Sequence, residues 1–299
     1  MVSRLTRRGP AMSGSTNITA EAPAICDSHV HVLDPQRFPY ADERTYTPAP
    51  ATVTDLEAFM QKAGVGRVVL VQPSVYGTDN SALVDGLAKL GPVARAVAVI
   101  DTARTSDAEL ESLHAHGVRG LRVNVAVHGD NAGVLAACID RATPLGLAVE
   151  IYASMPSILD HRGIIESSPV PVILDHYAGI DPAVGSAAPG LVELTEMLST
   201  GHVWVKMSAP YRLPNRPSSE DVENLSGLLV ETNVDRLLWA SDWPHTGRLP
   251  KEITRTSESI DPFFDVDDPA VLAAIRRAAG SDENAQRILV DNPAALFGF

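Results

Sequence analysis

The chain has 299 residues, of which 45% are hydrophobic and 20% charged, a balance typical of a globular protein with a sizeable core. Its formal net charge of −13 argues against nucleic acids and anionic membrane surfaces as partners, because its field repels polyanions. No apolar stretch is long enough to cross a bilayer. Cys26 and Cys138 lie far apart in apolar runs, which indicates buried reduced thiols and predicts a cytoplasmic protein.

The N-terminal segment is polar, and no hydrophobic signal region follows Arg7 and Arg8. Paired arginines also occur in twin-arginine export signals, but the hydrophobic part of such a signal is missing here. We therefore expect residues 1–22 to form a disordered tail and residues 23–299 to form one folded domain.

From Ala24 onward, short β-branched runs alternate with longer amphipathic segments, which is typical of βα units around a parallel sheet. In chain order, strands are predicted at 25–32, 67–72, 93–100, 118–123, 148–152, 171–176, 203–208 and 236–241. Helices are predicted between them at 53–63, 80–90, 107–116, 131–145, 157–166, 191–199 and 219–232, and after them at 269–279 and 283–290. This α/β pattern fits a single-domain, distorted (β/α)8 TIM barrel. The alternative is an open doubly wound sheet, but no glycine-rich nucleotide-binding turn follows the first strand.

Polar residues with catalytic potential stand at the ends of three predicted strands, where a barrel builds its active site. His29 and His31 end the first strand and share one face, because side chains alternate along a strand. His176 ends the sixth strand and Asp242 follows the eighth. A lone histidine is more often structural than catalytic. Their coincidence at three strand ends nevertheless favours a catalytic site.

Six motifs carry a family resemblance: CDSHVHV, GVRGLRVNV, VILDHYAG, VWVKMSAPYRL, LLWASDWPH and LVDNPAALF. Their order and spacing resemble the amidohydrolase superfamily, and specifically its amidohydrolase-2 branch. Within that branch, FPYADERTYTPAPAT and VVLVQPSVYGTDNSALVDGL are similar to segments of the 2-pyrone-4,6-dicarboxylate lactonases. The resemblance implies a hydrolase of carboxylic ester bonds that opens a lactone ring, with a role in the catabolism of aromatic compounds.

The resemblance also bears on cofactors, because many members of the branch hold one or two divalent ions. Tyr152 stands where those members carry a strand-five histidine, and Arg122 where they carry a bridging lysine, so we expect no binuclear site. The three histidines and the aspartate named above remain suitable ligands for one zinc ion. The lactonases that the chain resembles use no metal, so we favour a metal-free site, with mononuclear zinc as the alternative.

In the metal-free version, Asp242 takes a proton from the water that attacks the lactone carbonyl, and His29, His31 and His176 stabilise the oxyanion. The resemblance assigns Arg122 and Arg212 to an anionic group of the substrate, which guanidinium groups bind well. For both arginines the alternative is a structural ion pair. Further candidates for substrate contact are Tyr46, Ser74, Thr78, Tyr152 and His128.

His128 stands where the resembled lactonases carry a second carboxylate-binding arginine. This difference favours a related lactone, such as a muconolactone, a sulfomuconolactone or a sugar lactone, unless protonated His128 replaces the arginine. The branch also contains metal-dependent non-oxidative decarboxylases of aromatic and unsaturated acids, which are the alternative enzyme class. A barrel kept only for binding is a third hypothesis. The composition is compatible with a monomer or a homodimer.

Overall fold

The computed structural model describes residues 24–125, 129, 132–247 and 259–299. Its centre is one sheet of eight parallel strands that follow one another in chain order. The strands are β1 (Cys26–Val30), β2 (Arg67–Val71), β3 (Ala94–Ala98), β4 (Val118–Asn124), β5 (Ala148–Tyr152), β6 (Val172–Leu174), β7 (Val203–Ser208) and β8 (Leu237–Ala240). Because every neighbouring pair is parallel, all eight strands end on the same side of the molecule.

Helices alternate with the strands and cover the outside of the sheet. They are α1 (Val53–Ala63), α2 (Ser81–Leu90), α3 (Asp107–Ala115), α4 (Ala132–Ala142), α5 (Met155–Asp160), α6 (Arg162–Glu166), α7 (Leu191–Ser199), α8 (Ser219–Asn233), α9 (Asp268–Ala278), α10 (Asp282–Gln286) and α11 (Asn292–Phe297). The predicted (β/α)8 barrel is confirmed. The single helix predicted at 157–166 is wrong: α5 and α6 meet at His161, where the backbone leaves helical geometry with φ −107° and ψ 8°.

The remaining predictions about the whole chain have different outcomes. Cys26 and Cys138 are buried free thiols, as predicted. None of the helices in the described residues is both long and apolar enough to span a membrane. The tail predicted at 1–22 lies outside the described residues. The cytoplasmic location and the monomeric or homodimeric state stay predictions.

The barrel closes where β1 meets β8, and this seam is short. A single parallel bridge joins Val30 to Trp243 beyond the end of β8. Below it, the buried Ser28 hydroxyl donates a hydrogen bond of 2.5 Å to the carbonyl of Trp239. The short seam holds the first and last strands together beside the predicted site.

The inside of the barrel contains both apolar and charged side chains. Val69, Val71, Ile173 and Leu238 belong to one buried apolar cluster, which Phe297 of α11 joins. Three charged side chains stand inside the barrel beside this cluster. They are Arg122, Glu150 and Lys206, and they come from β4, β5 and β7. Arg122 and Glu150 are direct partners in the sheet register, which places their side chains on the same face.

Two of the predicted site residues lie just beyond their strands rather than inside them. The predicted strands 171–176 and 236–241 are too long, since β6 ends at Leu174 and β8 ends at Ala240. His176 has φ 51° and Asp242 has φ 65°, in the left-handed region that L-residues rarely adopt. This conformation ends each strand and turns the side chain. Uncommon backbone of this kind clusters at functional sites.

The seam yields a prediction about stability. We expect Ser28→Ala to lower the free energy of unfolding by about 1 kcal/mol, because a buried hydrogen bond between β1 and β8 is lost. We also expect faster hydrogen exchange at the N–H of His31, which donates to Trp243 across the seam. Urea denaturation and exchange detected by NMR measure the two effects.

The control is Ser168→Ala, because Ser168 is also buried but donates to Val170, only two residues away. It should leave exchange at the seam unchanged. Equal exchange at His31 in both variants would contradict a special role for the Ser28 bond.

Candidate active site

The C-terminal ends of the strands surround a cavity of about 320 Å³. Its wall is formed by residues that follow or end several different strands, together with loop residues: His31, Tyr46, Pro73, Ser74, Arg122, Asn124, Tyr152, His176, Arg212, Asp242, Thr246 and Gly247. Most of these side chains are polar. The position and the lining are those of an active site in a barrel enzyme.

The two carboxylate oxygens of Asp242 have different surroundings. Oδ2 accepts hydrogen bonds from the hydroxyl of Tyr211 at 2.6 Å and from Nε of Arg212 at 2.5 Å. Oδ1 lies 3.3 Å from Nε2 of His31 and 3.5 Å from Nε2 of His29. It accepts no hydrogen bond from the described residues. One oxygen is therefore held in place, and the other is buried beside the two histidines without accepting a hydrogen bond from the described residues.

The charge of Asp242 is set by its neighbours. Burial opposes its ionisation, but the Arg212 guanidinium and then His176 hold the pKa of Asp242 well below its usual value. Arg212 also donates to the carbonyl and the hydroxyl of Thr246, at 3.0 Å and 2.9 Å. Asp242 is thus a carboxylate at neutral pH, with a fixed orientation.

The histidines at the cavity are oriented by hydrogen bonds on their far sides. Nδ1 of His31 lies 2.8 Å from the carbonyl of Val71, which can only accept, so Nδ1 carries a proton. Nδ1 of His176 lies 2.8 Å from the hydroxyl of Ser208. Burial lowers the pKa of His176 to about 4, so its ring is neutral at neutral pH. Both rings therefore keep Nε2 available to a reactant.

A set of buried charges lies beneath the cavity, and we call it the interior charge cluster: Arg122, Glu150, Asp175 and Lys206. The ammonium of Lys206 donates to Oε2 of Glu150 and lies 3.6 Å from Oδ1 of Asp175. The guanidinium of Arg122 donates to Oδ2 of Asp175 at 3.1 Å and lies 3.5 Å from Oε1 of Glu150. His29 rests against this cluster, with Nδ1 3.2 Å from Nζ of Lys206. The cluster contains two cations and two anions, so its formal charge is balanced.

Two overlapping groups of residues have the chemistry to hold a metal ion. One is His29, His31 and Asp242, and the other is His29, Asp175 and His176; within each group the ligand atoms lie within 4.8 Å of one another. Nε2 of His29 and Oδ1 of Asp242 are buried and have no hydrogen-bond partner among the described residues. The ligand atoms of the first group are therefore close enough together to hold a single cation, whereas the four predicted ligands do not form one group of this kind.

A family model described as Amidohydrolase matches residues 26–299 of the chain. The chain belongs to the amidohydrolase family. This membership agrees with the position of the cavity and with the histidine and aspartate residues around it.

Curated relatives of this amidohydrolase align over nearly its whole length. A 2-pyrone-4,6-dicarboxylate hydrolase of Comamonas testosteroni is 33% identical over 288 residues, covering 91% of this chain and 89% of that protein. A 4-sulfomuconolactone hydrolase of Rhizobium radiobacter is 30% identical over 279 residues, again covering 91% and 89%. A crystal structure of an Agrobacterium tumefaciens protein matches with a TM-score of 0.77 and 24% identity, over 94% of this chain and 98% of that one. This last likeness shows the fold.

The structure brings most of the predicted site residues of the amidohydrolase to the cavity. His31, His176, Asp242, Arg122, Arg212, Tyr46, Ser74 and Tyr152 all line it. His29 is fully buried directly behind Asp242. Thr78 is exposed and lines a different depression, beside Arg37 and Asn80. His128 lies outside the described residues.

Other residues at the site were not singled out by the sequence patterns. Tyr211 donates to Asp242, and Glu150, Asp175 and Lys206 surround His29. Lys206 and Glu150 each interrupt an apolar strand, in VWVKMS and AVEIY, and a charge that is covered on both faces of a sheet needs a buried partner. A charged residue inside an apolar strand was therefore the sequence signal that could have identified Lys206 and Glu150. Arg122 and Arg212 both form ion pairs, the alternative considered for them, and both also face the cavity.

The lowered pKa of His176 predicts a pH dependence of stability. Because the folded-state value of about 4 lies below the ordinary value of about 6.5, folding favours the neutral ring. The contribution of the neutral His176 ring to the free energy of unfolding is complete above about pH 6.5. It is lost as the pH falls towards 4, and between pH 7 and pH 5 it decreases by about 2 kcal/mol. Urea denaturation at both pH values measures it.

The matched variant is His176→Asn, because asparagine does not titrate and its amide can keep a hydrogen bond to Ser208. Carboxylates elsewhere titrate in both proteins, so the informative quantity is the difference between their two pH slopes. Identical slopes would show that His176 does not have the lowered pKa.

Proposed function

We propose that this amidohydrolase opens the ring of an anionic lactone by hydrolysis, with Asp242 as the general base. The observation that carries the proposal is the unequal environment of Asp242, whose Oδ2 is held by two donors while Oδ1 accepts no hydrogen bond from the described residues. The relatives named as pyrone-dicarboxylate and sulfomuconolactone hydrolases support the choice of a lactone.

The chemical steps follow from the positions of the cavity residues. Oδ1 of Asp242 accepts a proton from water as the water oxygen attacks the ring carbonyl carbon. The histidine rings at the cavity then stabilise the oxyanion of the tetrahedral intermediate. His176 can donate from Nε2 when its Nδ1 accepts from Ser208, whereas His31, whose Nδ1 proton faces Val71, can donate only when both of its ring nitrogens carry a proton. When the bond between that carbon and the ring oxygen breaks, the leaving oxygen takes the proton back from Asp242. The products are a carboxylic acid and an alcohol or enol, and the acid ionises in water.

The cavity suits a lactone that carries an additional negative charge. Arg122 and Arg212 both line it, and a guanidinium binds carboxylate or sulfonate oxygens with two parallel hydrogen bonds. Tyr46, Ser74 and Tyr152 supply hydroxyl groups at the same wall. The negative net charge of the chain does not attract such a substrate, so these local cations must provide the recognition.

We favour hydrolysis without a metal, although the ligand atoms of His29, His31 and Asp242 lie close enough together to hold a single cation. A bound zinc ion would polarise the carbonyl and lower the pKa of its water. The proposal without metal is supported by two cations of the chain, since Arg212 bonds Asp242 and Lys206 bonds His29. Each of these cations already occupies one side of a group that would have to bind the metal.

Asp242→Asn tests the general base. The amide cannot take a proton from water, so we expect kcat for ring opening to fall by about 10³-fold or more with little change in KM. The assay follows the absorbance of 2-pyrone-4,6-dicarboxylate, a sulfomuconolactone and an uncharged lactone, with and without chelator. Asp107→Asn is the control, because the Asp107 side chain is 86% exposed on α3, away from the cavity.

Each alternative outcome of this assay has a distinct meaning. Full activity of Asp242→Asn would remove Asp242 as the base. Activity that chelator abolishes and zinc restores would replace the metal-free mechanism by the mononuclear one. Release of carbon dioxide from an aromatic acid, with no lactone opened, would overturn the proposed function.

Arg212→Met tests how the arginine acts. Removing a cation beside a carboxylate raises the carboxylate pKa, so we expect the acid limb of the kcat/KM profile to move to higher pH. We also expect kcat/KM for the charged lactone to fall about 30-fold more than for the uncharged one, because about 2 kcal/mol of ionic contact is lost. Arg216→Met, at an exposed neighbouring arginine, is the control. Equal losses for both substrates would show that Arg212 does not contact the anionic group.

A further inference from the structure

We propose that Lys206 is a positioning residue that places the proton of neutral His29 on Nε2, and thereby makes His29 a hydrogen-bond donor at the site rather than a metal ligand. The inference deepens the proposed function, on which its catalytic meaning rests. The proton position itself is a property of the folded chain, and it can be measured without any substrate.

The ammonium group of Lys206 is surrounded by hydrogen-bond acceptors. Its ammonium has three N–H groups and no lone pair, so every hydrogen bond it makes is a donation. Three acceptors surround it: Oε2 of Glu150, Nδ1 of His29 at 3.2 Å, and Oδ1 of Asp175 at 3.6 Å. The side chain is fully buried, so water does not compete for these contacts. A proton on Nδ1 of His29 would therefore point at another donor.

Two carboxylate oxygens of the described residues also lie near Nδ1 of His29 and could accept a proton from it. Oδ1 of Asp175 lies 3.3 Å from Nδ1 of His29, and Oε1 of Glu150 lies 3.5 Å from it. Both distances alone would allow Nδ1 to donate. Yet Nζ of Lys206 lies nearest to Nδ1, at 3.2 Å, and neither oxygen accepts a hydrogen bond of good geometry from the described residues. The contact with Lys206 is thus the one that decides the proton position.

The proton of His29 is consequently on the opposite side of the ring, at Nε2. With Nδ1 accepting, the single proton of a neutral imidazole is on Nε2. Nε2 lies 3.5 Å from Oδ1 of Asp242, and neither atom has a hydrogen-bond partner among the described residues. A proton on Nε2 therefore stands beside the oxygen that would receive the proton of the attacking water.

The consequence concerns metal binding as much as catalysis. A metal ion needs the lone pair of Nε2, which requires the proton on Nδ1 and an acceptor beside it. In this chain the Lys206 ammonium is the group nearest to Nδ1 of His29, and the carboxylates of Asp175 and Glu150 lie slightly farther away. His31 differs, because its Nδ1 faces the carbonyl of Val71 and its Nε2 can present a lone pair. The two histidines of the H-x-H motif therefore have opposite proton positions whenever both are neutral.

The test is to observe the ring nitrogens of His29 directly. Long-range proton–nitrogen NMR correlation of the 15N-labelled, chelator-treated full chain distinguishes protonated from unprotonated ring nitrogens, and the His29→Gln variant assigns the signals. In the wild type we expect a protonated Nε2 and an unprotonated Nδ1. In Lys206→Met we expect the proton to move to Nδ1, where Asp175 can accept it.

Two matched variants separate the effect of Lys206 as a hydrogen-bond donor from the effect of its positive charge. Lys206→Met/Glu150→Gln removes one cation and one anion together, which keeps the interior charge cluster balanced and protects the fold. Glu150→Gln alone keeps Lys206 as a donor. We expect the proton to move in both Lys206 variants and to stay on Nε2 in Glu150→Gln. We also expect zinc, titrated by calorimetry, to bind the double variant at least about 10-fold more tightly than the wild type.

Each result supports or overturns the inference. A wild type with the proton on Nδ1, or a double variant with the proton still on Nε2, overturns it. A proton that moves as expected in a chain that opens no lactone supports the role of Lys206 and refutes the proposed function. The two failures are therefore distinguishable.

Discussion

The site depends on the charge balance of the four buried side chains beneath it. Moving one ion out of water costs several kcal/mol, and a buried charge is tolerated only when partners compensate for it. Lys206 and Arg122 face Glu150 and Asp175 inside the barrel at ion-pair distances. Burial, followed by the charge of Asp175, raises the pKa of Glu150 to about 7, whereas Lys206 and Arg122 favour its ionised form. The cations hold this layer together, and His29 is oriented against it.

Rigid placement of the reactive groups follows from the parallel strands. Residues that end different strands converge at one side of a barrel, so hydrogen-bond donors are fixed before a substrate arrives. Asp242 illustrates this placement, because its left-handed backbone turns the carboxylate towards the cavity, and Tyr211 and Arg212 hold one of its oxygens. Little reorganisation is then needed when negative charge develops on the carbonyl oxygen.

Much of this arrangement can be predicted from the sequence, and the remainder depends on long-range geometry. Strand and helix periodicity predicts the barrel, and the strand ends predict His31, His176 and Asp242 at one cavity. The partners of these residues are not predictable in the same way. Lys206 and Glu150 are 56 residues apart, and only the closed barrel brings them together. Similarly, the sequence predicts Arg212 at the site but not its bond to Asp242, because that bond depends on the path of the loop after β7.

The interior charge cluster also constrains how this protein can diverge over evolutionary time. Loss of Lys206 alone leaves Glu150 and Asp175 with an excess of buried negative charge, so an accepted replacement requires a second change at an anion. Uncharged residues at the rim of the cavity, such as Ser74, are not part of this charge balance and can change singly. Substrate preference can therefore drift at the rim while the charged layer changes only in pairs. Covariation between positions 150 and 206 is the trace that this asymmetry would leave among related sequences.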